Sequence, residues 1–154
     1  EWYQQLLLNT TGLLTRKKSN LIGYVGFRLR GKRAHISTIA VHPDWRRKGL
    51  GELLLLTGIE EALDRGLPRI TLEVRASNHI AQRLYHKYGF RFTGIHKGYY
   101  RDGEDACLME AQIANSMYGA HLASLRQTLE KKLTRTGGTH RPGASVGQNK
   151  TDTL

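Results

Sequence analysis

Apolar positions along the chain alternate first with a period of two and then with a helical period. Leu21 to Leu29 (LIGYVGFRL) sets Ile22, Tyr24 and Gly26 against Leu21, Gly23, Val25, Phe27 and Leu29, which predicts a strand built with small residues. Gly31-Lys32 is a turn, and Arg33 to Val41 returns as the antiparallel partner. From Leu50 to Arg65 the period lengthens: Leu53, Leu56, Ile59 and Leu63 share one helical face, with Gly66 as the stop and Pro68 beyond it. Ile70 to Arg75 is a further strand, with Ile70, Leu72 and Val74 on one face and Thr71, Glu73 and Arg75 on the other. Ser77 and Asn78 suit the cap of a helix from His79 to Tyr88, whose inner side would carry Ile80, Ala81, Leu84, Tyr85 and Tyr88 before Gly89 ends it. Phe90 to Tyr100 and Glu104 to Gln112 follow as two strands joined through Arg101-Asp102-Gly103.

The flanks are plainer. Glu1 to Leu8 fits the end of a short helix, and Thr10 to Asn20 a polar, basic loop. Tyr118, Leu122, Leu125, Leu129 and Leu133 recur at three- and four-residue spacing, predicting an amphipathic helix over Ser116 to Leu133. Residues 137–154 are rich in Gly, Ser, Thr and Asn without periodicity, the composition of a disordered tail. The element order predicts an α/β domain over residues 1–113, with a mixed central sheet flanked by helices, then a helical extension over 114–136 and the tail.

Composition narrows the partners. The formal charge is +11, and residues 1–114 hold 18 Lys and Arg against 11 Asp and Glu, so the excess is not confined to the tail. Such a chain is drawn to anions: nucleotide cofactors, RNA or the ribosome, or acidic surfaces. The longest apolar runs fall well short of a membrane span, and Glu1-Trp2-Tyr3 lacks the layout of a secretory signal. The first residue is Glu rather than Met, as in a processed chain or a piece of a longer one. The single cysteine, Cys107, lies in the apolar run Ala106 to Met109 and reads as a buried structural thiol, which fits a reducing, cytoplasmic setting. His35, His42, His79, His86 and His96 have no metal-ligand spacing, and no metal is expected.

The chemistry gathers in Ile36 to Leu56, ISTIAVHPDWRRKGLGELLLL. A β-branched run ends at Val41, His42-Pro43-Asp44 breaks it, and a basic, glycine-punctuated turn feeds a leucine-rich helix. The first N–H groups of a helix lack intrahelical partners and lie at its positive end. Gly49 and Gly51 admit a ligand close to the backbone, and Arg46, Arg47 and Lys48 add charge, an arrangement suited to a pyrophosphate. The G-x-x-x-x-G-K-[ST] and G-x-G-x-x-G loops are excluded by spacing, leaving R-x-x-G-x-G opened by Arg46. Taken alone, the pattern fits equally a basic helix start whose glycines merely ease a turn.

VHPDWRRKGLG after ISTIA resembles the acetyl-coenzyme A motif of the GNAT superfamily of N-acetyltransferases. LEVRASN (Leu72 to Asn78), LYHKYGF (Leu84 to Phe90) and HKGYYRDGEDACLM resemble its RimI-type branch, which acetylates the N-terminal amine of a ribosomal protein. The likeness runs from about Leu21 to Gln112 and leaves at most Glu1 to Leu8 for the strand and two helices with which that fold begins. It implies the GNAT fold and acetyl-coenzyme A as cosubstrate, with the pyrophosphate at Arg46, Arg47, Lys48, Gly49, Leu50, Gly51 and Glu52. It also implies contacts from Asn78, and pairing of the pantetheine arm, with polarisation of the acetyl carbonyl, along Ile39, Ala40 and Val41. Glu73 would be the base, its pKa expected to be modestly raised, and Tyr85 the acid toward the departing sulfur. Tyr99 and Tyr100 would grip the acceptor, a protein N-terminus beginning with Ala or Ser, with a ribosomal protein foremost. From the residues alone, Glu73 fits equally a surface pair with Arg75 or Arg69, and Tyr85 a core tyrosine. A small amine or lysine acceptor, or a basic RNA- or ribosome-binding module without turnover, are the other functional readings.

Overall fold

The computed structural model describes residues 3–9 and 21–137. Nine main elements follow in order: β1 (Tyr3–Asn9), β2 (Leu21–Arg30), β3 (Arg33–Val41), α1 (Leu50–Asp64), β4 (Arg69–Arg75), α2 (His79–Lys87), β5 (Arg91–His96), β6 (Ala106–Gln112) and α3 (Ser116–Gly137). The six strands form one sheet in the order β1-β2-β3-β4-β6-β5. Every neighbouring pair is antiparallel except β3 and β4. That parallel pair is linked by α1, which crosses over one face of the sheet as such a connection requires.

The alternation read in the strands decides which face is buried. Val25 and Phe27 of β2, Ile36 of β3, Ile70 and Leu72 of β4 and Met109 of β6 point to one side, where they form a single cluster with Leu55 and Ile59 of α1 and Tyr88 after α2. Arg28, His35, Thr71, Glu73, Arg75 and Glu110 lie on the opposite face, across which no described helix packs. Gly23 is required where α1 crosses, because an added Cβ would stand 2.9 Å from the Ala40 carbonyl oxygen and 3.0 Å from Leu54 Cδ1.

One irregularity opens the sheet. Gly26 faces Thr38 but Phe27 faces Ile36, so Ser37 is an extra residue in β3, a bulge. The β3–β4 ladder runs from Arg33 opposite Arg69 to Ile36 opposite Leu72 and stops there. A bulge bends its strand, and beyond it the β4-facing edge of Thr38 to Val41 has no strand partner among the described residues.

Several elements differ from the sequence reading. The segment expected as a helix end over Glu1 to Leu8 is β1, paired along its length with β2; a short apolar run gains more backbone partners at a sheet edge than as an isolated helical turn. The strand expected to reach Tyr100 ends at His96, because Asp105 accepts hydrogen bonds from Gly98 N (2.9 Å) and Lys97 Nζ (2.7 Å) and turns the chain; its partner accordingly starts at Ala106 rather than Glu104. Ile80, placed on the inner side of α2, is 76% exposed. The face of α1 is broader than the spacing of Leu53 and Leu63 implied: Leu54, Leu55, Leu56, Ile59 and Ala62 are buried while Leu53 and Leu63 are half-buried. The reason is α3, which runs on to Gly137 and covers α1 from the side away from the sheet. It is held by Tyr118, whose hydroxyl donates to the Tyr88 carbonyl (2.9 Å), by an Arg126–Glu60 ion pair, and by Leu129 and Leu133 packed over Gly49. Cys107 is half-buried rather than fully so. The loop expected over Thr10 to Asn20 and the tail beyond Gly137 lie outside the described residues. No described helix is long and apolar enough to cross a membrane.

Candidate active site

At the end of β3 a single 3-10 turn, Pro43–Trp45, redirects the chain. Arg46 Nε donates to the Val41 carbonyl (3.1 Å), tying the loop to the strand, and Lys48 Nζ stands 4.8 Å over the Trp45 ring. Arg47 takes a left-handed conformation (φ 60), as does Gly49 (φ 83), the N-cap of α1. The first helical bond runs from Leu53 N to the Gly49 carbonyl at 3.0 Å, so the N–H groups of Leu50, Gly51 and Glu52 have no intrahelical acceptor. A Cβ at Gly51 would touch only Val41 Cγ2, at 3.8 Å. Open space beside Gly51, three outward N–H groups and the Arg46–Lys48 cations fit a pyrophosphate. The bare edge of Ile39, Ala40 and Val41 beside them fits an extended amide-bearing arm, so the residues present suit coenzyme A.

Glu52 adds an N–H to this turn, while its side chain is engaged elsewhere. Its carboxylate accepts from Lys87 Nζ and from Tyr88 O–H (3.0 Å), joining the start of α1 to the end of α2. Asn78 caps α2, its Oδ1 accepting from Ala81 N at 3.1 Å. Two turns on, Tyr85 packs on Phe90 with the rings tilted by 57° and their centroids 5.8 Å apart. Its hydroxyl has no hydrogen-bond partner among the described residues, and burial pushes its pKa up to about 12.

Glu73 lies one residue past the point where β3 and β4 part. Neither Arg75 nor Arg69 holds it; His35 Nε2 is 3.0 Å from Glu73 Oε2, and His35 Nδ1 is 3.0 Å from Thr71 Oγ1. A carboxylate only accepts, so Nε2 carries the proton of this bond. The His35 hydrogen bond, reinforced by the nearby charges of His35, Arg30 and His96, holds the Glu73 carboxyl below its ordinary value despite partial burial. The expected rise is therefore corrected to a fall.

Tyr100 completes the arrangement, lying within electrostatic range of both Glu73 and Tyr85. It follows β5 by a turn rather than ending it, stacked over Arg75 (Cζ 3.9 Å from the ring centroid) and edge-on to the half-exposed Tyr99. Arg75 donates to Glu104 (2.6 Å) and Asp102 (2.8 Å), while Glu104 also accepts from Ser77 N (2.9 Å) and Oγ (2.6 Å). These bonds, those from Ser77 foremost, depress the Glu104 carboxyl to about 2. Tyr100 is thus the group whose surroundings reach both Glu73 and Tyr85, and Glu73 lies one residue past the end of the β3–β4 ladder. His35, Arg75 and Glu104 were not singled out from the sequence as parts of the site; the only sequence signal was a histidine and an arginine on the polar side of strands flanking Glu73. Among the described residues no group of three or more His, Cys, Asp or Glu side chains is placed to hold a metal ion.

Known proteins share this arrangement of elements. The Acetyltransferase (GNAT) family model matches residues 1–90. A putative [ribosomal protein bS18]-alanine N-acetyltransferase of Bacillus subtilis is 41% identical over 111 residues, 70% of this chain and 74% of that protein. The [ribosomal protein bS18]-alanine N-acetyltransferase of Escherichia coli K12 is 45% identical over 84 residues, 53% of this chain and 57% of its own length. The crystal structure of the Escherichia coli ribosomal-protein-S18-alanine N-acetyltransferase superposes with a TM-score of 0.60 at 28% identity, covering 75% of this chain and 96% of that one. The chain spans about three quarters of the Bacillus relative but little more than half of the Escherichia one. With its glycine turn, its split sheet and these relatives, the chain belongs to the GNAT family, the class of acetyl-coenzyme A-dependent N-acetyltransferases.

Proposed function

We propose that the chain acetylates the α-amine of a protein N-terminus beginning with Ala or Ser, the leading acceptor being a ribosomal protein. The observation that carries this reading is the position of Glu73: a carboxylate kept ionised by His35, at the mouth of the gap between β3 and β4, with Tyr100 within electrostatic range of it. The relatives that act on a ribosomal N-terminal alanine support the same acceptor class.

Acetyl-coenzyme A would supply the acetyl group as a reactive thioester, held by the N–H groups of Leu50 to Glu52 and the edge of Ile39 to Val41. Fixed backbone N–H groups on that edge would stabilise charge on the acetyl oxygen, an effect worth about 3 kcal/mol per donor where donors of this kind have been removed. Glu73 takes the proton lost by the amine nitrogen. A free α-amine has a pKa near 8, several units above this carboxylate, so Glu73 is a poor acceptor from the resting ammonium. The ammonium proton therefore passes to solvent and the amine attacks as its free base; Glu73 then takes the second proton, becoming an effective acceptor as the nitrogen bonds to carbon and its N–H acidity rises. Tyr85, with a pKa of about 12, stays protonated. A thiol has a pKa of about 8.5, so full transfer from this tyrosine to sulfur is uphill, and Tyr85 serves by donating a hydrogen bond to the departing thiolate. Tyr99 and Tyr100 position the acceptor's first residues.

The test is acetylation of a peptide with a free N-terminal alanine beside the same peptide blocked at its N-terminus and carrying an internal lysine. Transfer to the free N-terminus alone is expected. Transfer to the lysine of the blocked peptide would overturn the reading in favour of side-chain chemistry.

A further inference from the structure

The sheet face that presents Glu73 also presents a belt of arginines. Register places Arg30 opposite Arg33 and Arg33 beside Arg69, three like charges in one row across three strands. The next row has Arg28 opposite His35 at one side and Arg91 opposite Glu110 at the other. All five arginines are exposed, and Glu110, 3.9 Å from Arg69, is the carboxylate set among them. Glu110 answers Arg69 at one end of this band, and the band as a whole gives that side of the face a cationic character. A cleft of about 240 Å³ runs from Glu73 past His35 and Thr71 to Arg30 and Arg33, with Glu110 on its β6 side.

That cleft is dipolar, with a carboxylate at the end nearest the gap between β3 and β4 and guanidinium groups at the other. A polyanion such as RNA would meet Glu73 and Glu110 as well as the arginines. A polypeptide whose cationic amine sits at Glu73 and whose side chains turn negative a few residues on would match both ends. From Glu73 back to Arg69 is four strand residues, about 13 Å, the reach of about four extended residues. Building on the α-amine reading above, we propose that the arginine belt selects N-termini carrying acidic side chains at roughly positions three to five of the acceptor.

The experiment measures kcat/KM with acetyl-coenzyme A for three alanine-first peptides that differ only in bearing Glu, Gln or Lys at those positions. The expected order is Glu, then Gln, then Lys, with a spread of roughly tenfold or more at low salt that narrows as salt is added. Arg33→Glu and, separately, Arg69→Glu should invert the order, a gain for the Lys peptide that a merely unfolded variant cannot give. Equal kcat/KM for the three peptides, or an order unmoved by either variant, would overturn the proposal while leaving the α-amine reading in place. Equal values accompanied by single-stranded RNA binding that Arg33→Glu abolishes would assign the belt to nucleic acid instead. Acetylation of none of the peptides would overturn both readings together.

Discussion

Removing the charge on Glu73 while keeping its shape isolates the proton-accepting role. Glu73→Gln should lower kcat by about 10²–10⁴-fold and leave the Kd for coenzyme A unchanged by calorimetric titration, since the carboxylate lies apart from the glycine turn. His35 can be tested through the pH profile. Its hydrogen bond lowers the Glu73 pKa, so the ionised base is present above that lowered value and is lost as pH falls through it. In His35→Leu the Glu73 pKa rises, and the lower break of the kcat/KM profile, where loss of the Glu73 carboxylate steepens the limb set by the amine, should move to higher pH; His35→Gln, which still offers an N–H, should restore part of the difference. An unmoved lower break in His35→Leu would remove His35 from the mechanism. Glu73 and Tyr85 could be named as candidates from the sequence because each sits inside a distinctive block, LEVRASN or LYHKYGF. His35 was not, since its meaning depends on the parallel register that sets it opposite Thr71, one step from Glu73, and no local pattern encodes that register. The direction of the Glu73 shift was misread for the same reason: the partner that reverses it is 38 positions away in the chain.

Among the elements, the start of α1 separates conformation from ligand space. Gly49→Ala would force a side chain into a left-handed conformation, costing about 1–2 kcal/mol, and set its Cβ 3.2 Å from Leu133 Cδ2. Both melting temperature and coenzyme A affinity should fall. Gly51→Leu has only Val41 Cγ2 at 3.8 Å beside its Cβ and sits in an ordinary helical conformation, so its melting temperature should hold while its bulk over the turn lowers coenzyme A affinity. A Gly51→Leu protein that binds coenzyme A normally would move the pyrophosphate elsewhere. Most elements could be read from periodicity because each buries one face. The face of α1 could not, since four consecutive leucines from Leu53 pack between the sheet and α3, and a helix covered on two sides leaves no single stripe. The early end of β5 was equally hidden, because it depends on Asp105 reaching back to Lys97 and Gly98.

For the whole molecule, an α/β domain with a mixed sheet followed from element order alone, but the strand order did not. Nothing along the chain announces that β6 inserts between β4 and β5, or that the bulge at Ser37 ends the β3–β4 ladder after four residue pairs. That short ladder has a mechanical consequence. The sheet is two antiparallel leaves, β1-β2-β3 and β4-β6-β5, stitched along a spine of four parallel pairs, the weaker kind of pairing, with α1 as the strap across it. Each leaf is well braced within itself, so thermal breathing should concentrate at the spine, and a molecule that hydrogen-bonds along the bare edge of Ile39 to Val41 would rivet one leaf to the other. Hydrogen–deuterium exchange should therefore report faster amide exchange in Thr38 to Val41 than in the middle of β6, and adding coenzyme A at about 100 times its Kd should slow it while adding about 2.7 kcal/mol to global stability. Slowing confined to Leu50 to Glu52 would mean that the pyrophosphate is held while the leaves still open like a book whose spine has not been bound.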